Sequence, residues 1–272
     1  MRIFVDPALL QAGELAVSGD EHHYLGRVRR ARIGDAVELV DGSGRRATGK
    51  IARITEAETV LAVGEPAAIP AALPFVRVLL PLIKGDRMDT ALEKLVEVGA
   101  DEIVVWPAAR SVVKLEDDRR ESRLAKYQAA CVAAARQSGG AQVPQVSWAG
   151  TLAAALTTLP MAPRPSSGTT PPFTPSYAVD GGEASSHATT SRLSTIPRAT
   201  RFVLDPQSDA PFKHPFLDDV TLVSGPEGGF APDELAALAT AGFASIGLGP
   251  RVLRAETAPV AAVAIIRSLT RS

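Results

Sequence analysis

Two loops near the C-terminus carry the residues best suited to chemistry. The first, in "LVSGPEGGF" (222–230), leaves an apolar stretch and enters Gly225, Pro226, Glu227, Gly228 and Gly229, where Glu227 is the only charged side chain. Glycines at such a point let a ligand touch the main chain. The second, "GLGPRVLRAETA" (247–258), has Arg251 and Arg254 as polar heads in a largely apolar loop, with Glu256 just beyond. Each loop alone reads as a strand–helix connection. Two in succession, both glycine-bearing and both charged, favour a binding site beyond the carboxyl ends of neighbouring strands.

The charge pattern narrows the ligand. The helix after the first loop begins "APDEL". Pro232 suits its first turn, and Asp233 and Glu234 complement the positive end of the helix dipole. Acids there disfavour a phosphate, so a neutral or cationic ligand fits better. At the second loop Thr257 is placed to cap the next helix, and Pro259 falls within its first turn.

Other patterns are excluded. "GSGRRA" (42–47) imitates part of a dinucleotide-binding glycine pattern but sits between two short strands, so it reads as a hairpin turn. No Lys-Ser/Thr follows "GPEGGF", and no G-x-S-x-G occurs. His22, His23, His187 and His214 form no H-E-x-x-H spacing, and no metal site is expected. The single cysteine, Cys131 in "AACVAAA", can form neither an intrachain disulfide nor a cysteine zinc site, and reads as a buried small residue.

The elements that must position the loops follow from periodicity. Short strands, "DAVELVDG", "RATGKIARI" and "TVLAVGE", fill the first 70 or so residues and suggest a small β-barrel. "GEPAAIPAALP" (64–74) reads as a linker. From Phe75 the continuous apolar run "FVRVLLPLI" predicts a strand buried on both faces. Helical "DRMDTALEKLVEVGA" follows, with Gly99 at its carboxyl cap, and strands and helices then alternate. This predicts an α/β domain with a mostly parallel sheet. Six prolines between Pro160 and Pro175, among Ser, Thr and Gly, predict a flexible insertion over 160–200.

Bulk composition sets the class. The 272 residues are 46% hydrophobic and 22% charged, as in a soluble globular protein. No apolar run approaches the roughly 18 residues of a membrane span. "MRIFVDPALLQAGE" has no signal-peptide layout, and a cytoplasmic location is expected. Net charge is −1, yet eight basic residues (Arg27, Arg29, Arg30, Arg32, Arg45, Arg46, Lys50 and Arg53) face three acids (Asp35, Glu38 and Asp41) between His22 and Arg53. Two readings stand: a local field for phosphates, or an arginine-rich solvated surface.

The paired loops "GPEGGF…E" and "LGPRVLRAETA" resemble the C-terminal motifs of the RsmE family, bacterial 16S ribosomal RNA uridine-N3 methyltransferases of the SPOUT superfamily. "KGDRMDTALEKLVEVGADEIVVWPAARSVVK", "AARQSGGAQVP", "RIFVD" and "GDEHHYLGRVRRARIGDAVELVDGSG" extend the resemblance over nearly the whole chain outside 160–200. The resemblance implies an N-terminal PUA-like β-barrel (1–72) that contacts RNA and a C-terminal SPOUT α/β domain (73–272) with a deep trefoil knot. It implies a homodimer without metal or membrane, acting on 16S rRNA of the 30S ribosomal subunit. S-adenosylmethionine would be held by Leu204, Ser224, Gly225, Pro226, Glu227, Gly228, Leu248, Gly249, Leu253 and Arg254. RNA would be held by Arg27, Arg29, Arg30, Arg45, Arg46, Lys84, Arg87, Arg110, Lys114 and Gln137.

In that scheme Arg254 stabilises the uridinate and Glu256 or Glu227 accepts its proton; alternatively, Arg254 and Glu256 only pair with each other. Two positions depart from the family pattern: Ala231 replaces a frequent serine, and Gly140 replaces an arginine. Rival readings are a non-catalytic RNA-binding or ribosome-assembly protein, and a related SPOUT enzyme acting on another RNA.

Overall fold

A computed structural model of the chain describes residues 1–70, 72–111, 113, 117–159, 201–212 and 219–270. The expected insertion at 160–200 lies outside the described residues.

The first element group is β1 (Arg2–Phe4), β2 (Gly13–Ser18), α1 (Gly19–His23), β3 (Ala36–Val40), β4 (Arg45–Ile54), β5 (Glu58–Val63) and β6 (Ala67–Ala68). A π-helical turn, Tyr24–Val28, continues α1. The strands form one sheet in the order β1-β3-β4-β5-β2, with β6 paired to β4. Alternation does the work here: Ala47, Gly49 and Ile51 of β4 point inward while Arg46, Thr48 and Lys50 point out. Val37, Leu39, Ile51, Leu61 and Leu25 are the centre of this core. Because β1 and β2 are the two edges, the sheet curls into a half-barrel. The linker stretch contributes β6 to that sheet, so it is partly structured.

The second group is β7 (Val76–Pro81), α2 (Asp86–Glu97), β8 (Glu102–Trp106), α3 (Arg120–Ser138), β9 (Gln145–Trp148), α4 (Leu152–Thr157), β10 (Arg201–Leu204), β11 (Val220–Val223), α5 (Pro232–Thr240), β12 (Ala244–Ile246) and α6 (Ala258–Leu269). All six strands are parallel, in the order β12-β10-β11-β7-β8-β9. Helices cover both faces, which explains the unbroken apolar runs: every residue of β7 is buried. Buried Arg77 is tolerated because Glu102, its neighbour on β8, pairs with it at 2.7 Å. Cys131 is buried in the larger core, and desolvation pushes its thiol up to about 12, leaving it an inert packing residue.

Strand order and chain order disagree in two places, between β9 and β10 and between β11 and β12. β11 inserts between β10 and β7, and the chain then crosses to the edge strand β12. It returns to lay α6 against α2, β7 and β11. Arg267 pins the far end of α6 by donating to the carbonyls of Gly99 and Pro74 and pairing with Asp101. The chain therefore doubles back across the sheet after β12.

The half-barrel is clasped to the starting edge of the parallel sheet through the hairpin 41–44. Asp41, its side chain fully buried, accepts from the Ser43 and Arg45 amides at 2.9 and 3.0 Å with one oxygen. The other oxygen accepts from Ser43 Oγ at 2.8 Å and Arg45 Nε at 2.7 Å. The turn so shaped offers the Gly42 carbonyl to the Val143 amide at 2.9 Å, just before β9. Burial alone would raise the Asp41 pKa, but the hydrogen bonds from Ser43 and Arg45 outweigh it and hold the carboxyl below its ordinary value. A lowered folded pKa stabilises above the unfolded value and is lost as pH falls through it. Asp41→Asn should therefore cost about 1–3 kcal/mol at pH 7 in urea unfolding. Its deficit relative to the unchanged chain should shrink as pH falls below about 4.

Candidate active site

Because the strands are parallel, the loops after β7, β8, β10, β11 and β12 all gather at one edge. The loop after β11 starts at buried Ser224, whose amide donates to the Leu79 carbonyl at 3.1 Å. Gly225 and Gly228 are bare for packing reasons, and Gly229 for its positive φ of 69°. A Cβ on Gly225 would stand 2.9 Å from the Phe230 ring, which lies stacked against Trp106 at 6.4 Å between centroids. A Cβ on Gly228 would stand 3.0 Å from the Arg110 side chain and 3.1 Å from its carbonyl. Arg110 also donates to the Gly228 carbonyl at 3.3 Å. Buried Pro226 offers its carbonyl to the Gly229 amide and closes the turn.

Glu234 holds this loop to the next, a role that sequence reasoning missed when it assigned the residue to the helix dipole. It is buried, accepts from the Ala231 amide at 2.7 Å, and accepts from the Ala109 amide at 2.8 Å with its other oxygen. The first bond is half of a capping box, and its spacing of three residues from the helix start was the signal available. Ala231 has no side-chain acceptor for the other half. Both carboxylate oxygens of Glu234 are used inside the protein.

The loop after β12 rests on the loop after β10. Gly247 donates to the Ala210 carbonyl at 2.9 Å, and a Cβ on it would collide with the Ser208 carbonyl at 1.9 Å. Buried Leu204 ends β10 in register with Ile246. Leu248 packs on the main core, Leu253 is half-buried, and Gly249, Arg251 and Val252 are exposed. The expected cap by Thr257 is corrected: its side chain makes no cap hydrogen bond. Thr257 has helical backbone angles, φ −91 and ψ −41, whereas a capping side chain needs extended ones. The Arg254 carbonyl instead accepts from the Thr257 and Ala258 amides at 2.9 and 3.0 Å.

The three residues expected to act on substrate differ sharply in surroundings. Glu227 is tied to Arg87, in the first turn of α2, at 3.4 Å. Arg254 has a side chain 78% exposed and stands 3.9 Å from Glu256, beyond hydrogen-bond reach. Glu256 is only 12% exposed, and its second oxygen is buried with no partner among the described residues. An unmatched buried acceptor is costly and calls for a donor or a positive charge.

The residues expected to hold RNA fall into two groups. Lys84, Arg87 and Arg110 lie beside the gathered loops. Arg27, Arg29, Arg30, Arg45, Arg46 and Gln137 lie on the half-barrel and the end of α3, at the opposite edge of the sheet. Strand lengths of four to six residues separate the two groups by roughly 13–20 Å. Arg45 is engaged by Asp41 and by the Pro7 carbonyl. Lys114 lies outside the described residues. Arg136, beside the departure at Gly140, pairs with Glu21 at 2.7 Å across to the half-barrel.

Comparison with known proteins matches residues 71–163 and 184–267 to an RNA methyltransferase domain and residues 17–63 to an RNA methyltransferase PUA domain. The chain is 33% identical over 271 residues to the ribosomal RNA small subunit methyltransferase E of Mycobacterium bovis, covering 99% of this chain and 92% of that protein. It is 25% identical over 257 residues to the Bacillus subtilis protein of the same name, covering 94% and 90%. The Neisseria gonorrhoeae ribosomal RNA small subunit methyltransferase E, solved bound to S-adenosyl methionine, shares the fold with a TM-score of 0.73 at 23% identity, covering 98% of this chain and 97% of that one. A Legionella pneumophila methyltransferase solved with its cofactor superposes with a TM-score of 0.70 at 22% identity, covering 98% and 96%. With both regions matched and a relative at this identity over its full length, the chain belongs to the RNA methyltransferase family of the ribosomal RNA small subunit methyltransferase E proteins.

Proposed function

We propose that the protein methylates N3 of a uridine in 16S rRNA, uridine 1498 of the small ribosomal subunit, using S-adenosylmethionine. Residues 1–72 serve as the RNA-binding unit and 73–272 as the transferase unit, in a cytoplasmic homodimer. The observation that carries the reading is the gathering of the loops after β10, β11 and β12 at one sheet edge, the last of them carrying Glu256 with one buried oxygen that has no partner among the described residues. The cofactor's charge suits that edge, where Glu256 has a buried oxygen with no partner among the described residues and exposed Glu227 stands beside Arg87. Leu204, Leu248 and Leu253 provide apolar surface; Ser224, Gly225, Pro226, Glu227, Gly228, Gly249 and Arg254 provide main chain and charge around it. Exposed Leu235 on α5 and Val252 support pairing of two copies beside these loops.

When bound, S-adenosylmethionine supplies the methyl group from a positively charged sulfonium. The protein must orient the uracil and release its N3 proton. N3 lies on the base-pairing edge, so the uridine is held unpaired. Glu256 accepts the proton, being buried and unmatched. Arg254, free to move on its exposed side chain, stabilises the negative charge left on the ring. Glu227, held by Arg87, positions its loop.

Arg254→Ala at saturating cofactor should lower kcat about 10²–10³-fold, the usual loss for one charge-stabilising donor; unchanged turnover would remove it from the chemistry. Glu256→Gln should lower kcat by about 10²-fold or more. Replacing Arg27 or Arg46 should reduce the salt slope of RNA binding by about 1 each, whereas Arg45→Ala should act on stability through the Asp41 turn. For the reaction itself, 16S rRNA from a deletion strain should lack the 3-methyluridine by mass spectrometry, and its persistence would overturn the reading. Calorimetry with S-adenosylmethionine separates the transferase from a non-catalytic RNA-binding protein.

A further inference from the structure

Far from the gathered loops, at the junction of half-barrel and α3, lies a cleft of about 620 Å³. Arg2, Arg29, Arg136 and Met1 line it, and Glu38 is the only acid among its described lining residues. Tyr24 lies among them with the Arg29 guanidinium 5.9 Å from its ring centre. A second cleft of about 940 Å³ shares Arg2, Tyr24 and Arg136 and adds Asp20 and Glu21, so the two open on the same side chains and those two acids line only the second.

Ion pairs fix these guanidinium groups without exhausting them. Arg2 gives Nε to Glu38 at 2.8 Å, and Arg136 gives one terminal nitrogen to Glu21 at 2.7 Å while its plane lies 5.6 Å from the Phe4 ring centre. Each guanidinium has five N–H donors, so most remain. The carboxyl end of α3 brings about half a negative charge, which Arg136 in its last turn outweighs. A cleft with fixed, incompletely used guanidinium groups and an arginine-covered tyrosine has the features of a single-strand RNA pocket: charge for a phosphate and flat surfaces for a base. Its volume falls within the range of pockets that hold small ligands.

We infer that this cleft binds one unpaired nucleotide of the substrate RNA, its base stacked on the Arg29–Tyr24 pair and its phosphate held by Arg2 and Arg136. The inference rests on the proposed RNA substrate. It adds a recognition point a full strand length from the methylated base, so the enzyme reads a strand running along the molecule rather than the uridine alone. Tyr24, Arg2 and Arg136 become specificity residues, and Glu21 and Glu38 become positioning residues that aim two of them.

The test uses the full-length protein and a fluorescein-labelled single-stranded RNA decamer without cofactor. Tyr24→Ala and Arg29→Ala should each weaken binding about tenfold, and Tyr24→Phe should restore it. Tyr24→Trp should show fluorescence quenched by the decamer, which reports stacking even if Tyr24→Ala folds poorly. Unchanged affinity in Arg29→Ala together with an unquenched Tyr24→Trp would overturn the inference. In methyl transfer, Arg29→Ala should raise KM for RNA and leave kcat nearly unchanged. A protein that methylates 16S rRNA with the same KM after Arg29→Ala refutes the cleft and leaves the activity standing. One that shows the binding differences but no methyl transfer refutes the activity and leaves the cleft.

Discussion

Four residues, Val220–Val223, hold the site together, because β11 pairs on both sides and all of its residues are buried. A strand buried on both faces must satisfy its backbone groups through its neighbours. Parallel pairing to β7 and β10 does this and sets direction at the same time. Direction then decides that Ser224 emerges beside Leu79 and that the β10, β11 and β12 loops leave from one edge. Slipping β11 out of that slot would expose unpaired amides on β7 and β10 and scatter the loops.

Once the loops are gathered, they are locked by contacts that have little to do with a ligand. Phe230 needs Gly225 bare, Arg110 needs Gly228 bare, and the Ser208 carbonyl needs Gly247 bare. Glu234 spends both oxygens tying the start of α5 to the loop after β8. A rigid frame of this kind is what a site needs if its few functional groups are to be held in place. Against it, Arg254 is exposed and one oxygen of Glu256 is buried with no partner among the described residues.

Basic residues that look like one patch in the sequence act in separate places. Arg45 shapes the hairpin that clasps the half-barrel to the sheet. Arg29 covers Tyr24 in the junction cleft. Arg87 and Arg110 steady the loop after β11. The Asp41 turn and the Arg136–Glu21 pair join the two halves of the molecule, so the half-barrel arginines and the loop cluster keep a set separation.

Periodicity and turn chemistry were enough for most strands and helices, for the parallel sheet and for the two glycine-bearing loops after strands, but not for β6 or α1. Apolar runs such as 76–81 can be buried only between two layers, and glycine after a strand is a local event. The family, too, was legible in its motifs. The sequence did not reveal the order of the strands, because nothing within β11 says which neighbours it will have. Nor did it reveal the double duty of Glu234, the failure of Thr257 to cap, or the meeting of Tyr24, Arg29 and Arg136. Those depend on residues 100 or more positions apart, or on backbone angles imposed by packing. The sequence by itself determined which residues could do chemistry; the tertiary structure decided which are left free to do it, because burial and pairing consume most charged groups and leave only a few unmatched.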